Sequence, residues 1–108
     1  ISTYGVPVKI VVFNNGHLGM IRQIQDLFYG ARLSACQLGD RVDIVAVAKG
    51  FGIDAERVDA ARPEGGIERL AASREPYLLE VMVDPDHYVY PIIPPGKSNV
   101  EMIYGRSD

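Results

Sequence analysis

At 108 residues the chain has room for one small domain and no second. Hydrophobic residues at 47% and charged residues at 23% exclude an intrinsically disordered chain, and a net charge of -3 with no Trp argues against nucleic acid as a partner. A single cysteine, Cys36, leaves no intrachain disulfide or thiolate cluster and points to a reduced, intracellular setting, and no apolar run approaches the roughly 20 residues of a membrane helix.

The chain opens ISTYGVPVKI, without Met or a signal-peptide pattern, and enters a strand within a few residues. That start reads as a cut from a longer protein. Val8 to Phe13 (VKIVVF) is a nearly continuous β-branched run, the pattern of a parallel strand covered on both faces. A turn follows, and then Met20, Ile24, Leu27 and Phe28 recur at helical spacing, predicting a helix from Leu18 or Gly19 to about Tyr29. Arg22, Gln23 and Asp26 fall on its polar side, with Asp26 expected to face solvent. Gly30 is a plausible stop. Residues 31–39 show no period and read as loop. Asp40 then suits the cap of a second helix, with Asp43 at its third position, an apolar face of Val42, Val45, Ala46 and Ala48, and an end at Gly50 or Gly52.

ERVDA (56–60) is a weak strand pattern. Pro63 and Glu64 open a third helix with Ile67, Leu70 and Ala71 turned inward, and Glu68 with Arg69 on its wet side. Tyr77 to Val83 (YLLEVMV) is the strongest strand pattern, bounded by Pro76 and by Asp84-Pro85. The order β-α-α-β-α-β predicts an α/β fold with parallel strands and right-handed crossovers. Three strands make a thin sheet, so the pattern suits the C-terminal portion of a doubly wound domain, residues 1–83, followed by an arm, residues 84–108. Pro85, Pro91, Pro94 and Pro95 bar regular helix over the arm's first half. Its Tyr88, Val89, Tyr90, Ile92 and Ile93 are too apolar for a free linker. Such an arm packs either on its own domain or across a ligand cleft or partner chain.

Chemistry concentrates where the first strand ends. In open parallel sheets ligands bind beyond the carboxyl ends of strands. Asn14, Asn15, Gly16, His17, Leu18 and Gly19 stand there. An Asn side-chain oxygen and a turn carbonyl are hard neutral donors for Mg²⁺ or Ca²⁺, and the following helix N-terminus suits a phosphate. Asn-Asn-Gly is equally a common turn composition, so both readings stand on the residues alone. Mg²⁺ usually takes a carboxylate as well, and the turn has none. Elsewhere, Asp84, Asp86 and His87 form a trio that reads as an exposed turn sooner than as a metal cluster. Cys36 reads as a passive thiol, and the His17 ring as a solvated loop imidazole.

VKIVVFNNGHLGMIRQIQDLFYG, DIVAVAKGFG (43–52), PYLLEVMVD (76–84) and YPIIPPG (90–96) closely resemble the thiamine-diphosphate enzymes, and among them the catalytic (large) subunits of acetolactate synthase, also called acetohydroxyacid synthase. That family binds its cofactor through a motif that opens Gly-Asp-Gly and closes in Asn-Asn, and Asn14-Asn15 match the close. The resemblance implies Asn15 as a side-chain Mg²⁺ ligand and His17 as a ligand through its backbone carbonyl. It places Gly16, Leu18, Gly19 and Met20 at the diphosphate and the approach to the thiazolium, and Met20 and Ile24 along the substrate channel. Met20 reads equally as core. Where plant and fungal relatives carry a Trp, this chain has Ile24. Residues 87–96 would belong to an arm closing the active-site entrance.

The Gly-Asp-Gly half, the glutamate that activates the cofactor and the FAD-binding domain would lie upstream of Ile1. The resemblance therefore implies a C-terminal fragment, inactive alone. Its parent would condense a pyruvate-derived two-carbon unit with a second 2-oxo acid, at the entry to branched-chain amino acid biosynthesis. Thiamine diphosphate and Mg²⁺ are the implied cofactors; a homo-oligomer and a regulatory small subunit are the implied partners. The implied location is cytoplasmic, or organellar in a eukaryote. A sister carboligase or decarboxylase acting on another oxo acid, and a non-catalytic interaction module that keeps the fold, are the alternatives. A half-sheet should also expose an edge and apolar faces, so self-association is expected.

Overall fold

The computed structural model of the chain describes residues 1–39 and 42–105. The elements run β1 (Lys9–Asn14), α1 (Gly19–Phe28), α2 (Ile44–Gly50), β2 (Asp54–Asp59), α3 (Glu64–Ala72) and β3 (Tyr77–Met82), with a 3-10 turn at Asn99–Glu101. The strands form one parallel sheet in the order β1-β3-β2. This is the β-α-α-β-α-β order expected from the sequence, with β1 and β2 displaced by one and two residues. None of the helices among the described residues is long and apolar enough to cross a membrane.

The unbroken apolar run of β3 follows from its place. As the central strand it is flanked on both edges and covered on both faces, and Leu78, Leu79, Glu80 and Val81 are all buried. Because side chains alternate, Leu78 and Glu80 share a face with their register partners Ile10 and Val12 of β1 and Ala55 and Arg57 of β2. On this face Ala48 of α2 joins Ile53, Ala55 and Leu78 in the core, with Ile10, Val12, Ile44 and Val45 packed against it.

α2 begins later than the sequence pattern suggests. Asp43 is its N-cap and accepts the Ala46 N–H at 3.2 Å, so Asp43 does not stand at the third helical position. Asp40, expected as the cap, lies outside the described residues. Val42 precedes the helix and is exposed, as is Ala46, and the inward side is Ile44, Val45 and Ala48. At its end Gly52, at φ +74, turns the chain so that the Ile53 N–H reaches the Ala48 carbonyl at 3.0 Å.

The opposite face is covered by α3. Pro63 and Glu64 open this helix as expected, but its inward side is rotated. Gly66 is buried, whereas Ile67 is 51% exposed and Ala71 is also exposed. The reason is a close approach: a Cβ on Gly66 would stand 2.7 Å from Val58 Cγ1 and 2.8 Å from Leu79 Cδ1. The helix lies down on its glycine. Gly66→Ala should therefore destabilise the fold, by about 1 kcal/mol, since overpacking at roughly 1–3 kcal/mol outweighs a helix-propensity gain near 1 kcal/mol. A denaturant melt of the two forms checks this, and a more stable variant would show that α3 has room to lift.

One turn further along α3, Arg69 donates to both carboxylate oxygens of Glu56 (2.8 and 2.6 Å) and the Tyr77 hydroxyl adds a third bond at 2.8 Å. Arg69 is thus tied to β2 rather than merely solvated. These bonds hold the Glu56 carboxyl below its ordinary range, the Arg69 hydrogen bond first among the causes.

α3 packs chiefly on β2 and β3, so β1 is not covered on both faces as its apolar run suggested. Val11 and Phe13 share the α3 face of the sheet, and Phe13 is 73% exposed. The radius of gyration, 17.6 Å, exceeds the roughly 13 Å of a compact chain this long.

Candidate functional site

Residues 14–20 leave the carboxyl end of β1 and enter α1 through a turn whose polar groups are nearly all occupied. Asn14 Oδ1 accepts the Gly16 N–H at 2.8 Å, and Asn15 Oδ1 accepts the His17 N–H at 3.0 Å. Gly16 supplies the positive φ, +65, that the turn needs. The Asn14 carbonyl accepts from Val83 N at 3.0 Å, anchoring the turn to the strand end of β3.

The second wall is the segment that the sequence left as loop. Leu18 N donates to the Cys36 carbonyl at 2.7 Å and Leu38 N to the Gly16 carbonyl at 2.9 Å, making an antiparallel bridge between His17 and Gln37. Cys36 is buried at 2% exposure, a passive thiol as its sequence context suggested.

The His17 ring is not a solvated imidazole. It is half-buried, and its Nδ1 lies 2.8 Å from the Asn15 carbonyl while Nε2 lies 3.2 Å from Arg22 Nη1. A carbonyl only accepts and a guanidinium only donates, so Nδ1 carries the proton and Nε2 accepts. The ring is spent on holding the turn, which leaves its lone pair unavailable to a metal.

One oxygen is left over. The carbonyls of Asn14, Asn15, Gly16 and Leu18 each accept a hydrogen bond, from Val83, the His17 ring, Leu38 and Arg22 respectively. Among the described residues the His17 carbonyl accepts none. Asn15 Oδ1, with one lone pair used, lies two residues away along the same turn. Two hard neutral oxygens of this kind suit Mg²⁺. α1 begins beside them with no side chain capping its N-terminus, leaving amide donors for an anion.

Gly19 belongs to this arrangement sterically. A Cβ there would stand 2.8 Å from Asn15 Nδ2, so the helix start and the amide fit together only with glycine. Among the described residues no three His, Cys, Asp or Glu side chains gather as a metal site. Asp84, Asp86 and His87 form a turn instead: Asp86 N donates to Asp84 Oδ1 at 2.8 Å and His87 N to the Asp84 carbonyl at 3.2 Å.

Met20 and Ile24 share a side of α1, one helical turn apart. Met20 is 52% exposed at the helix start and is not core. Ile24, with Ile21, Gln25, Tyr29 and Arg32, lines an open depression of about 380 Å³ that Met20 does not reach.

The polar side of α1 is covered, contrary to the sequence expectation. Gln23 is 1% exposed; its Nε2 donates to the Val89 carbonyl at 2.8 Å and its Oε1 accepts the Val89 N–H at 3.0 Å. Arg22 pairs with Asp86, and Asp26 accepts the Tyr88 hydroxyl at 2.8 Å. Asp26 is therefore half-buried, and burial together with that bond pushes the Tyr88 phenol up. Residues 86–89 lie along α1.

Residues 1–81 match the thiamine pyrophosphate enzyme, C-terminal TPP binding domain. The chain belongs to the thiamine pyrophosphate enzymes. Within that family it is similar to a probable acetolactate synthase large subunit of Methanocaldococcus jannaschii, 41% identical over 99 residues that span 89% of this chain and 16% of that protein. It is also similar to the acetolactate synthase isozyme 2 large subunit of Escherichia coli, 39% identical over 91% of this chain and 18% of that protein. The chloroplastic acetolactate synthase 2 of Zea mays is 39% identical over 91% of this chain and 17% of its own length. The chain thus spans less than a fifth of these relatives. As a thiamine pyrophosphate enzyme domain, it carries its turn where the parallel sheet offers strand ends and a helix start together.

Two parts of this site were missed in the sequence. Cys36–Leu38 gave no periodic signal, because it pairs through backbone alone. Glu80 did give one: a carboxylate within YLLEVMV.

Proposed function

We propose that this chain is the C-terminal part of an acetolactate synthase catalytic subunit and supplies one side of its Mg²⁺-diphosphate site. The unpaired His17 carbonyl, in the same turn as Asn15 Oδ1, carries the reading. In it, Asn15 holds Mg²⁺ through Oδ1 and His17 through its carbonyl. Gly16, Leu18, Gly19 and Met20 border the diphosphate, with the α1 amides facing its charge. Thiamine diphosphate, when bound, supplies the electron sink for decarboxylating a 2-oxo acid. This chain's share is to bind and orient. The remaining ligands, including a carboxylate, come from chain beyond these residues or from a second subunit.

The substrates would be pyruvate and a second 2-oxo acid, giving the acetohydroxy acids that lead to branched-chain amino acids. Met20 and Ile24 border the channel by which these enter, and residues 87–96 lie over its mouth, held by Gln23. FAD would bind outside this segment. The bare α3-side face of β1, with Phe13 exposed, supports packing against further chain or a second copy, and so a homo-oligomer; a regulatory small subunit is a further partner. The enzyme would work in the cytoplasm, or in an organelle of a eukaryote.

Calorimetric titration with thiamine diphosphate and Mg²⁺ tests the division of labour. The 108-residue chain alone should bind weakly and turn over no pyruvate, whereas the chain extended upstream through a Gly-Asp-Gly sequence should bind and form 2-acetolactate. Tight binding by the short chain would sink the shared-site reading. Binding by the longer chain without 2-acetolactate would favour a sister carboligase or decarboxylase, and an extended chain that binds nothing would favour an interaction module.

A further inference from the structure

Glu80 is a carboxylate at the centre of the central strand, and its residue exposure is 0%. Burying a charge there is costly, and an apolar residue of similar volume would pack as well or better. Its two oxygens are each claimed by a different strand. Oε1 accepts from Asn14 Nδ2 of β1 at 2.6 Å, and Oε2 accepts from Arg57 Nε of β2 at 2.7 Å. Arg57 extends the chain of contacts to Asp43 Oδ1 at 3.4 Å, the N-cap of α2.

The consequence lies in the Asn14 amide. An ionised carboxylate only accepts, so it demands the NH₂ end of that amide. The oxygen end is thereby turned away from the sheet and onto the Gly16 N–H at 2.8 Å. A flipped amide would set two acceptors against each other below and two donors against each other above. The carboxylate therefore dictates the orientation that closes the Asn14-Asn15-Gly16 turn.

We propose that Glu80 is a positioning residue for the metal-diphosphate loop, acting through Asn14 to present Asn15 Oδ1 and the His17 carbonyl. It touches neither ion nor cofactor. The inference rests on the reading of that loop given above. A residue that orients a metal-binding element from behind is expected to change metal affinity roughly tenfold when altered.

The test uses the full-length subunit carrying these residues, with Mn²⁺ in place of Mg²⁺ and free Mn²⁺ counted by EPR in the presence of thiamine diphosphate. Glu80→Gln should raise the Mn²⁺ Kd roughly tenfold and shift the Asn14 side-chain amide resonances in ¹⁵N spectra. Arg57→Lys removes the Nε–H bond while keeping a cation beside the carboxylate; it should lower the melting temperature while leaving the Mn²⁺ Kd unchanged. Should Glu80→Gln fail to fold, Asn14→Ala removes the amide that the carboxylate orients and should weaken Mn²⁺ in the same way. The proposal is overturned by an unchanged Kd in Glu80→Gln or Asn14→Ala, or by an equal loss in Arg57→Lys. A wild-type protein that binds no Mn²⁺ with the cofactor instead removes the reading of the loop, a result distinct from either.

Discussion

On the proposed reading of the loop as a Mg²⁺ site, Gly19→Ala in the full-length subunit is expected to weaken Mg²⁺ binding roughly tenfold or more while leaving the fold intact. The added Cβ would sit 2.8 Å from Asn15 Nδ2, closer than ordinary contact allows. Its neighbour is the tip of a side chain rather than backbone, so the amide gives way and the helix does not. Alanine is also the better helix former by about 1 kcal/mol, which offsets the strain placed on that amide. What moves is Asn15, by a few tenths of an ångström or by a change of rotamer. Its Oδ1 is at present fixed by the His17 N–H at 3.0 Å. Metal sites tolerate displacements of only about 0.5 Å before affinity falls. The Mg²⁺ concentration that half-saturates cofactor binding, measured beside a thermal melt, separates the effects. An unchanged metal affinity at an unchanged melting temperature would show that Asn15 is turn chemistry only, and would remove it as a ligand.

The same turn shows how far a sequence can be read. β3 was legible because burial on both faces leaves a continuous apolar run, whereas the equally apolar run of β1 is covered by α2 on one face only and leaves Val11 and Phe13 exposed on the other. The lone carboxylate in YLLEVMV was visible, but its purpose needs the register that sets Glu80 between Val12 and Arg57. Periodicity misjudged α3 because it weighs apolar bulk, whereas contact there is made by Gly66, which has none. It misjudged α1 for the opposite reason. Arg22, Gln23 and Asp26 look like a wet face, yet each has a partner in residues 86–89, more than sixty positions along the chain. Polar side chains that satisfy a distant backbone carry no local signal. The metal-binding reading of Asn15 and His17 came from resemblance rather than from composition, since Asn-Asn-Gly makes turns everywhere. The structure adds the spare His17 carbonyl, which composition cannot show.

Gln23→Ala should release the arm. Gln23 pairs with Val89 as a neighbouring strand would, donating to its carbonyl at 2.8 Å and accepting from its N–H at 3.0 Å, with Gln23 itself buried and Val89 exposed. Truncation removes both hydrogen bonds, each worth about 0.5–1.5 kcal/mol net. The flanking contacts, Arg22 with Asp86 and Asp26 with Tyr88, are peripheral and hold less once the centre is gone. The direct readout is hydrogen exchange at the Val89 amide, which should quicken roughly ten- to hundredfold, since each tenfold corresponds to about 1.4 kcal/mol. Exchange in β3 should not change. Gln23→Glu sharpens the argument through pH. An ionised carboxylate still accepts from the Val89 N–H but confronts the Val89 carbonyl with a second acceptor, so burial and repulsion raise its folded pKa. A carboxyl raised in this way costs stability at neutral pH and recovers it as protonation restores a donor. Arm protection in Gln23→Glu should therefore increase on mild acidification, whereas in Gln23→Ala it should not. Val89 exchange that ignores both substitutions would mean that the arm is held by its apolar residues, and that Gln23 merely fills space beneath it.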